Sequence, residues 1–466
     1  VIVTGNDPHN SEYSAARWHQ VAWLSGYTGE GDLVITEDHA GLWTDTRYFI
    51  QASRQLPAAG VELHKTRVPG QMLIPEWLAG HFAAFEEVCV AVDGLCMTAS
   101  SVKDIQEAVG EKVRFVNAPD MLEVLWTDRP EIPQTPVITL GPEQVGWSRA
   151  QKIRWMRKWL TEKGYDAILL TALDEIAWML NVRGQDVAYN PVVMSYLLVT
   201  QDNVLWFARK GPTPDEDGET EDSFRELIAD GVNIQEYSDV ETALSNLVDG
   251  SYIKTLFVDP TTLNYNLYSI LEDNSSQSIV FGTSPVGLRK SVKNDVEVAG
   301  MKEAHLEDGI AMERFLHWLQ TSVEAGDAIN EYEASLKLHE FRSEIEGFRG
   351  ESFETISAYG PNAALPHYVT PEEGSAEIYA EGLYLCDSGG QYLFGTTDIT
   401  RTIPLGPCSQ LEKEDYTLVL KGHIALSKAV FPKGTAGCQL DVLAREPLWN
   451  AKRNFGHGTG HGVGFY

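Results

Sequence analysis

The chain has 466 residues, 43% of them hydrophobic and 10% aromatic, which is typical of a folded globular protein and excludes a disordered one. Lysine and arginine together number 36 against 67 aspartates and glutamates, giving a net charge of −31. Such a charge repels a nucleic-acid backbone and an anionic membrane surface, so we expect neither as a partner. Solubility is the simplest reason for so acidic a surface.

The five cysteines are odd in number and widely scattered, without a CxxC pair, which favours a reducing compartment. The first residues carry no basic and apolar leader, and no stretch approaches the roughly eighteen apolar residues of a membrane span. We therefore expect a soluble cytoplasmic protein, provided that no upstream signal has been removed.

The first part of the chain predicts a small α/β unit. An amphipathic segment over residues 13–24 precedes two strands, Leu33–Thr36 and Leu42–Trp43, which a polar turn joins. The same order of apolar helix, glycine-containing loop and two short strands recurs about 164 residues later, at Leu197–Thr200 and Val204–Trp206. This recurrence predicts two similar α/β domains in series.

Three prolines within Asp128–Pro136 favour an extended linker between these domains, since proline and the residue before it disfavour helix. We place the first domain at residues 1–128 and the second at residues 134–290. The acidic run Gly211–Asp222 is interpreted as a solvated loop within the second domain.

The third unit, residues 291–466, begins with a capping-box pattern at Asn294–Glu297, ahead of a long helix. One face of that helix carries an apolar stripe that we assign to the core, Met312, Phe315, Leu316 and Leu319. A second helix over Lys413–Val430 follows a region rich in strands. Strands with a helix on each side predict an α+β catalytic domain.

Two aspartates stand out in this unit. The apolar run Leu383–Cys386 predicts a buried strand that ends at Asp387, where a carboxylate costs several kcal/mol unless it is paired. Asp398 lies in a β-branched run that we expect to return as the second strand of a hairpin turned by Ser388-Gly389-Gly390. The two acids should converge and require a cation; the alternative is a pair of solvated turn aspartates.

The distant segment Gly456–Gly464 contains His457 and His461, four residues apart. This spacing occurs in the HExxH helix of zinc peptidases, but the glycines disfavour helix and no glutamate follows the first histidine. We expect a strand or tight loop instead. A neutral imidazole from His461 would complete, with the two aspartates, a set of oxygen and nitrogen ligands suited to manganese, cobalt or zinc.

His367 follows a Gly-Pro-Asn turn in a segment that we expect to line a cleft. A loop histidine is more often a surface or packing residue than a catalyst. Its nearness in sequence to the two aspartates favours the catalytic interpretation.

Four segments resemble the cytosolic three-domain Xaa-Pro aminopeptidases (aminopeptidase P) of the pita-bread metallopeptidases: ETISAYGPNAALPHY, DSGGQYLFGTTDITRT, LKGHIALSKAVFPKGT and GHGTGHGVG. Two more, LVITEDHAGLWTDTRYFIQA and TALDEIAWMLNVRGQDVAYNPVVMSY, resemble the first and second domains of that family. The resemblance implies two creatinase-like N-terminal α/β domains and a pita-bread catalytic domain. It also implies a homodimer that cleaves the bond before a penultimate proline in peptides with a metal-bridged hydroxide.

The resemblance further implies two divalent metal ions per subunit, usually Mn²⁺, with Zn²⁺ or Co²⁺ as alternatives. Asp387 would bind one ion through both oxygens, Asp398 would bridge both ions, and His461 would bind the first. In the family a further histidine and two glutamate ligands follow the position of Gly464, so three of five protein ligands lie within these 466 residues. A polypeptide that ends at Tyr466 is expected to hold at most one weakly bound ion and to leave Xaa-Pro bonds intact.

The remaining roles that the resemblance implies concern the substrate. His367 would contact the substrate and handle protons near the scissile bond, His457 would lie close to the metals as a second catalytic histidine, and Arg47 would reach the substrate from the first domain. A prolidase-like dipeptidase is the nearest alternative. A pita-bread module that binds peptide or protein without catalysis is the other, and the two glutamates that do not appear within this sequence favour it.

Overall fold

A computed structural model describes residues 1–210, 219–249, 253–272 and 278–466. The first domain consists of β1 (Ile2–Thr4), α1 (Gln20–Ser25), β2 (Asp32–Ile35), β3 (Ala40–Thr44), α2 (Phe49–Gln55), β4 (Glu62–Lys65), α3 (Ile74–His81), β5 (Val88–Val92), α4 (Ala99–Val109) and β6 (Val113–Asn117). The strands form one mixed sheet in the order β4-β3-β2-β1-β5-β6. The neighbours Leu33 and Val34 enter two different core clusters, so helices cover both faces of the sheet. The helical segment predicted over residues 13–24 is shorter, a 3₁₀ turn at Ala16–Trp18 followed by α1.

The second domain consists of β7 (Ile138–Thr139), α5 (Pro142–Val145), α6 (Arg149–Lys163), β8 (Ala167–Leu170), α7 (Leu173–Leu180), β9 (Val182–Arg183), β10 (Ser195–Thr200), β11 (Val204–Ala208), α8 (Glu219–Ala229), β12 (Asn233–Gln235), α9 (Val240–Asp249), β13 (Thr255–Val258), α10 (Tyr265–Glu272), β14 (Ser278–Phe281) and α11 (Pro285–Ser291). Its main sheet has the order β12-β11-β10-β8-β13-β14, and each strand pair has the same direction as its counterpart in the first domain. The predicted internal duplication is thus confirmed at the level of topology.

The linker between these sheets, residues 129–137, contains neither helix nor strand, as its prolines predict. The backbone N–H of Thr135 donates to Asp186 in the second domain, 2.8 Å away. Residues 211–218 of the predicted acidic loop lie outside the described residues. The rest of that prediction is wrong, because residues 219–222 form the first turn of α8, where acidic side chains favour a helix N-terminus.

The third domain consists of α12 (Asp295–Ala325), α13 (Glu331–Ser343), β15 (Phe348–Glu351), β16 (Ile356–Tyr359), β17 (Leu383–Ser388), β18 (Gly390–Tyr392), β19 (Gly395–Thr396), β20 (Ile399–Pro404), α14 (Gln410–Ser427) and α15 (Gly437–Asn450). The capping box is confirmed: the Asn294 side chain accepts from the Glu297 backbone, and the Glu297 carboxylate accepts from the Asn294 backbone at 2.8 Å. The predicted apolar stripe of α12 packs with Tyr384 and Cys386 of β17. Among the described helices, none combines the length and apolar character needed to cross a bilayer.

The predicted hairpin between the two acids is wrong. The acids are not joined by a tight hairpin at Ser388-Gly389-Gly390, because the intervening chain forms its own hairpin, β18–β19, which pairs with β15 in a separate sheet. Residue 398 lies just before β20, the strand that pairs with β17. The helix predicted over Lys413–Val430 is present as α14, three residues earlier at each end; it is buried only at Gly422, which lies against the Ala444 backbone of α15.

A fully buried ion pair connects the helices of this domain to its strands. Arg342 on α13 donates to Asp308 on α12 at 2.6 Å, and both side chains are 0% exposed. Arg342 also donates to the Ser388 hydroxyl at 3.0 Å, and Asp308 accepts from Thr397 at 2.5 Å and from Tyr392 at 3.0 Å. These hydroxyls satisfy further donors and acceptors of the pair, while Nη1 of Arg342 is buried without a hydrogen-bond partner among the described residues.

We expect Arg342→Leu to lower the free energy of unfolding of the third domain by about 3–5 kcal/mol, because it leaves the Asp308 carboxylate buried without its cation. Chemical denaturation followed by tryptophan fluorescence measures this. Arg314→Leu is the matched control, since Arg314 also connects α12 to the end of α13, through Glu344 at 2.7 Å, but in solvent. An equal loss of unfolding free energy in the two variants would show that the buried pair of Arg342 and Asp308 contributes no more than the exposed pair.

Candidate metal centre

A cavity of about 1510 Å³ is lined by all three domains. Arg47 and Tyr48 come from the first domain, Tyr189 from the second, and His367 from the third. Its walls are acidic: two arginines, Arg47 and Arg67, stand against Glu12, Glu30, Asp32, Asp45, Asp104, Glu354, Asp387 and Asp398. This excess of carboxylates favours cations inside the cavity.

Asp387 reaches the cavity because successive side chains of β17 point to opposite faces of the sheet. Tyr384, Cys386 and Ser388 point into the core, so Leu385 and Asp387 point the other way and are half-buried. The predicted strand is confirmed, but it is buried on one face only. The Thr400 hydroxyl, opposite Asp387 in the strand register, donates to Asp387 Oδ1 at 2.7 Å and orients the carboxylate.

Asp398 and His461 lie together on the same wall. Asp398 Oδ2 is 3.2 Å from Nε2 of His461, whose side chain is 74% exposed. The other ring nitrogen, Nδ1, lies 2.9 Å from the carbonyl oxygen of Gly462. Because a carbonyl accepts only, Nδ1 carries the proton and a neutral His461 presents the lone pair of Nε2 to Asp398.

This arrangement fits a metal ion. Two lone pairs that face each other at 3.2 Å need a cation between them, either a proton or a metal. Burial raises the pKa of Asp387, and the negative charge of Asp398 raises it further, while Thr400 and His461 act in the opposite direction. Neither carboxylate has a lysine or arginine ion-pair partner among the described residues. Two carboxylates and one imidazole are ligands that suit Mn²⁺, Co²⁺ or Zn²⁺.

The buried ion pair of Arg342 and Asp308 fixes the positions of both carboxylates. Its partner Ser388 directly follows Asp387, and its partner Thr397 directly precedes Asp398. Between them, Gly389 lies so close to the Thr397 carbonyl and the Ser352 hydroxyl that a Cβ atom would overlap both. The glycine is therefore required for the close approach of the two segments that carry the acids.

His367 contacts the first domain. Its Nδ1 lies 2.6 Å from the hydroxyl of Tyr48, and the two rings meet edge to face. Burial raises the pKa of Tyr48 above its usual range, so the phenol stays protonated and donates. His367 lines the cavity and is solvent-exposed, yet partial desolvation by the surrounding protein, and next the charge of Arg47, lower its pKa. The neutral ring therefore carries its proton on Nε2.

Arg47 lies beside Tyr48, the residue that contacts His367. Its guanidinium donates to Asp45 at 2.9 Å and to Glu30 at 2.8 Å, and its Nη1 makes no hydrogen bond to the described residues. His457, in contrast, is not among the residues that line the cavity. Its ring packs on Phe455, and its Nδ1 lies 2.7 Å from the Gly458 carbonyl.

The sequence did not predict the roles of Tyr48, Thr400, Asp308 or Arg342. The alternation of β17 and β20 could have indicated Thr400, since it requires only their register. No local sequence pattern indicates Asp308 and Arg342. They lie on helices far from Asp387 and Asp398 in sequence and contact the neighbours of these aspartates only because the domain packs.

Comparison with known proteins agrees with this fold. Two models of the Creatinase/Prolidase N-terminal domain match residues 2–125 and 128–297, and the model of Metallopeptidase family M24 matches residues 299–466. These matches define the class: two creatinase-type N-terminal domains on an M24, or pita-bread, metallopeptidase domain.

Individual relatives narrow the class. The chain is 37% identical to "Aminopeptidase P1" of Arabidopsis thaliana. The alignment is 512 positions long and covers all of this chain and 77% of the plant protein. It superposes on the crystal structure of X-prolyl aminopeptidase from Caenorhabditis elegans, described as a cytosolic enzyme with a di-nuclear active site, with a TM-score of 0.92 and 35% identity over 100% of this chain and 75% of the other. A Xaa-Pro dipeptidase from Bacillus anthracis matches less well, with a TM-score of 0.53 and 25% identity over 68% of this chain and 82% of the other. The chain therefore belongs to the aminopeptidase P family of metallopeptidases.

We expect Asp387→Asn and Asp398→Asn each to lower the metal content of the purified full-length protein, because each would remove a negative charge from the candidate ligand set. Mass-spectrometric metal analysis after identical dialysis measures this. Asp104→Asn is the control, since Asp104 lies on the same cavity wall without a proposed metal contact. Undiminished metal in both ligand variants would show that other residues bind the ions.

Proposed function

We propose that this protein is a metal-dependent aminopeptidase that releases the N-terminal residue from peptides whose second residue is proline. The observation that carries the proposal is the convergence of Asp387, Asp398, His461 and His367 on one acidic cavity, in a chain that matches X-prolyl aminopeptidase along its full length. Asp387, Asp398 and His461 would supply three of the protein ligands of two divalent ions.

The cavity suits such a substrate. Its carboxylates favour the positively charged amino terminus of a peptide. Its aromatic side chains offer flat apolar surface to a proline ring, and they include Tyr13, Tyr27, Trp43, Tyr48, Tyr189, Phe353, Tyr368 and Tyr466. An imide nitrogen carries no proton, so a site for Xaa-Pro bonds needs no acceptor for an N–H at that position.

The protein groups have separate tasks. When bound, two closely spaced divalent ions polarise a carbonyl oxygen and lower the pKa of a water molecule. Asp387, held by Thr400, and Asp398, held through Thr397, supply fixed negative charge to the ions. His367, whose Nδ1 accepts from Tyr48, donates Nε2–H to the oxygen of the scissile carbonyl as it gains negative charge.

Two further residues complete this proposal. Arg47 contacts the substrate with the Nη1 that its own carboxylate partners leave free. For His457 the sequence resemblance is the support, since its ring lies outside the cavity wall. We assign it to the surroundings of the metals.

We also propose Mn²⁺ as the resident ion, a homodimer as the assembly, and the cytosol as the location. The Caenorhabditis elegans enzyme is described as cytosolic and di-nuclear, which supports two ions and this location. The free state of all five cysteines agrees with a reducing compartment. We divide the chain at residues 1–128, 134–290 and 291–466, a division that the separate sheets and the family-model ranges support.

The full-length protein loaded with Mn²⁺ should release the first residue from Xaa-Pro-containing tripeptides and longer peptides, and leave matched Xaa-Ala peptides uncut. Mass spectrometry of the products measures both. Equal rates on the two series would refute the proposal. Cleavage confined to Xaa-Pro dipeptides would identify a prolidase-like dipeptidase instead.

His367→Ala should leave the metal content unchanged and lower kcat by roughly two to four orders of magnitude, the range for a group that acts on the transition state. Tyr48→Phe should give a smaller loss and raise the pKa of His367, because the phenol stabilises the neutral ring. The pH–rate profile detects that increase. His19→Ala, another histidine on the cavity wall, is the control. Metal loss in step with activity would identify His367 as a ligand.

A further inference from the structure

A second cluster of metal-binding side chains lies on the first domain, at the edge of its sheet. His39 precedes β3, while Glu62 and His64 belong to the edge strand β4. One ligand atom from each of the three side chains lies within 4.8 Å of the other two. None of the three lines the catalytic cavity.

The two imidazoles have a geometry that suits chelation. Nε2 of His39 and Nε2 of His64 face each other at 3.2 Å. Two nitrogens at that separation, each about 2.05 Å from a common ion, would subtend about 100° at the ion, close to the tetrahedral angle that zinc adopts. Glu62 is 66% exposed, so its carboxylate is free to turn toward the same point.

Neighbouring residues fix these rings in advance. The His64 ring stacks on Trp43 with centroids 3.9 Å apart, and the His39 ring lies 4.7 Å from that of Trp77. Gly41 sits beneath the point where the nitrogens meet. A Cβ there would lie 2.5 Å from Nε2 of His39 and 2.7 Å from Nε2 of His64, so a glycine provides the room.

Glu62 can serve as the third ligand. Its carboxylate lies 3.8 Å from Nδ1 of His39, beyond hydrogen-bond distance, so that nitrogen does not hold it in place. Because metal binding releases protons from its ligands, a bound ion would replace the proton that the two Nε2 atoms share in their hydrogen bond.

We propose that His39, His64 and Glu62 form a second metal site, separate from the catalytic centre, that binds Zn²⁺ or a similar borderline divalent ion. Two imidazoles and one carboxylate are the ligand set of several tetrahedral zinc sites, with a water molecule in the fourth position. A bound ion would join the turn before β3 to the edge strand β4 and stabilise the first domain.

Equilibrium dialysis against Zn²⁺ tests the site in the full-length protein. We expect His64→Gln and His39→Gln each to bind one zinc ion fewer per chain than the wild type, or to bind it at least about tenfold more weakly. His423→Gln is the control, because His423 is exposed on α14, far from this cluster in sequence. It should bind as many ions as the wild type.

Copper provides an independent readout. Cu²⁺ bound to the wild type should give an electron paramagnetic resonance spectrum with nitrogen coupling from two imidazoles, and this coupling should fall in His64→Gln. Activity on Xaa-Pro peptides should remain in all three variants, which separates this site from the catalytic one. Unchanged zinc stoichiometry and affinity in both His39→Gln and His64→Gln would overturn the proposal and leave a hydrogen-bonded histidine pair.

Discussion

The buried ion pair between Arg342 and Asp308 is the interaction on which the candidate metal centre depends. It costs desolvation of two charges, and the structure offsets that cost with hydroxyl partners taken from the strands next to Asp387 and Asp398. The same hydrogen bonds therefore stabilise the ion pair and hold the two aspartates in position. Stability of the catalytic domain and geometry of its centre rest on one network.

The cavity adds a second constraint, because its walls come from three domains. The catalytic domain supplies the two carboxylates of the candidate metal centre, whereas the first domain supplies the phenol that sets the tautomer of His367. The second domain repeats the topology of the first, and the described residues that it contributes to the wall are Ala188, Tyr189 and Asn190.

Much of this was predictable from sequence. Periodicity and proline content gave the duplicated domains, the linker and the capped helix α12, because these are local features. The hairpin between the aspartates was predicted wrongly, since the SGG triplet resembles a turn, whereas Gly389 serves a close approach between segments. The partners of the site residues, such as Tyr48 for His367, depend on how domains pack, and no local pattern encodes that.

Under the proposed function, the contact between Tyr48 and His367 would make substrate handling depend on two domains. A catalytic domain separated from the first domain would keep both aspartates but lose the donor to Nδ1, so its histidine could exchange tautomers freely. Variation at the surface of the first domain could then alter proton transfer without any change at the candidate metal ligands. Natural selection on catalysis would then act on the interface between domains as well as on the centre itself.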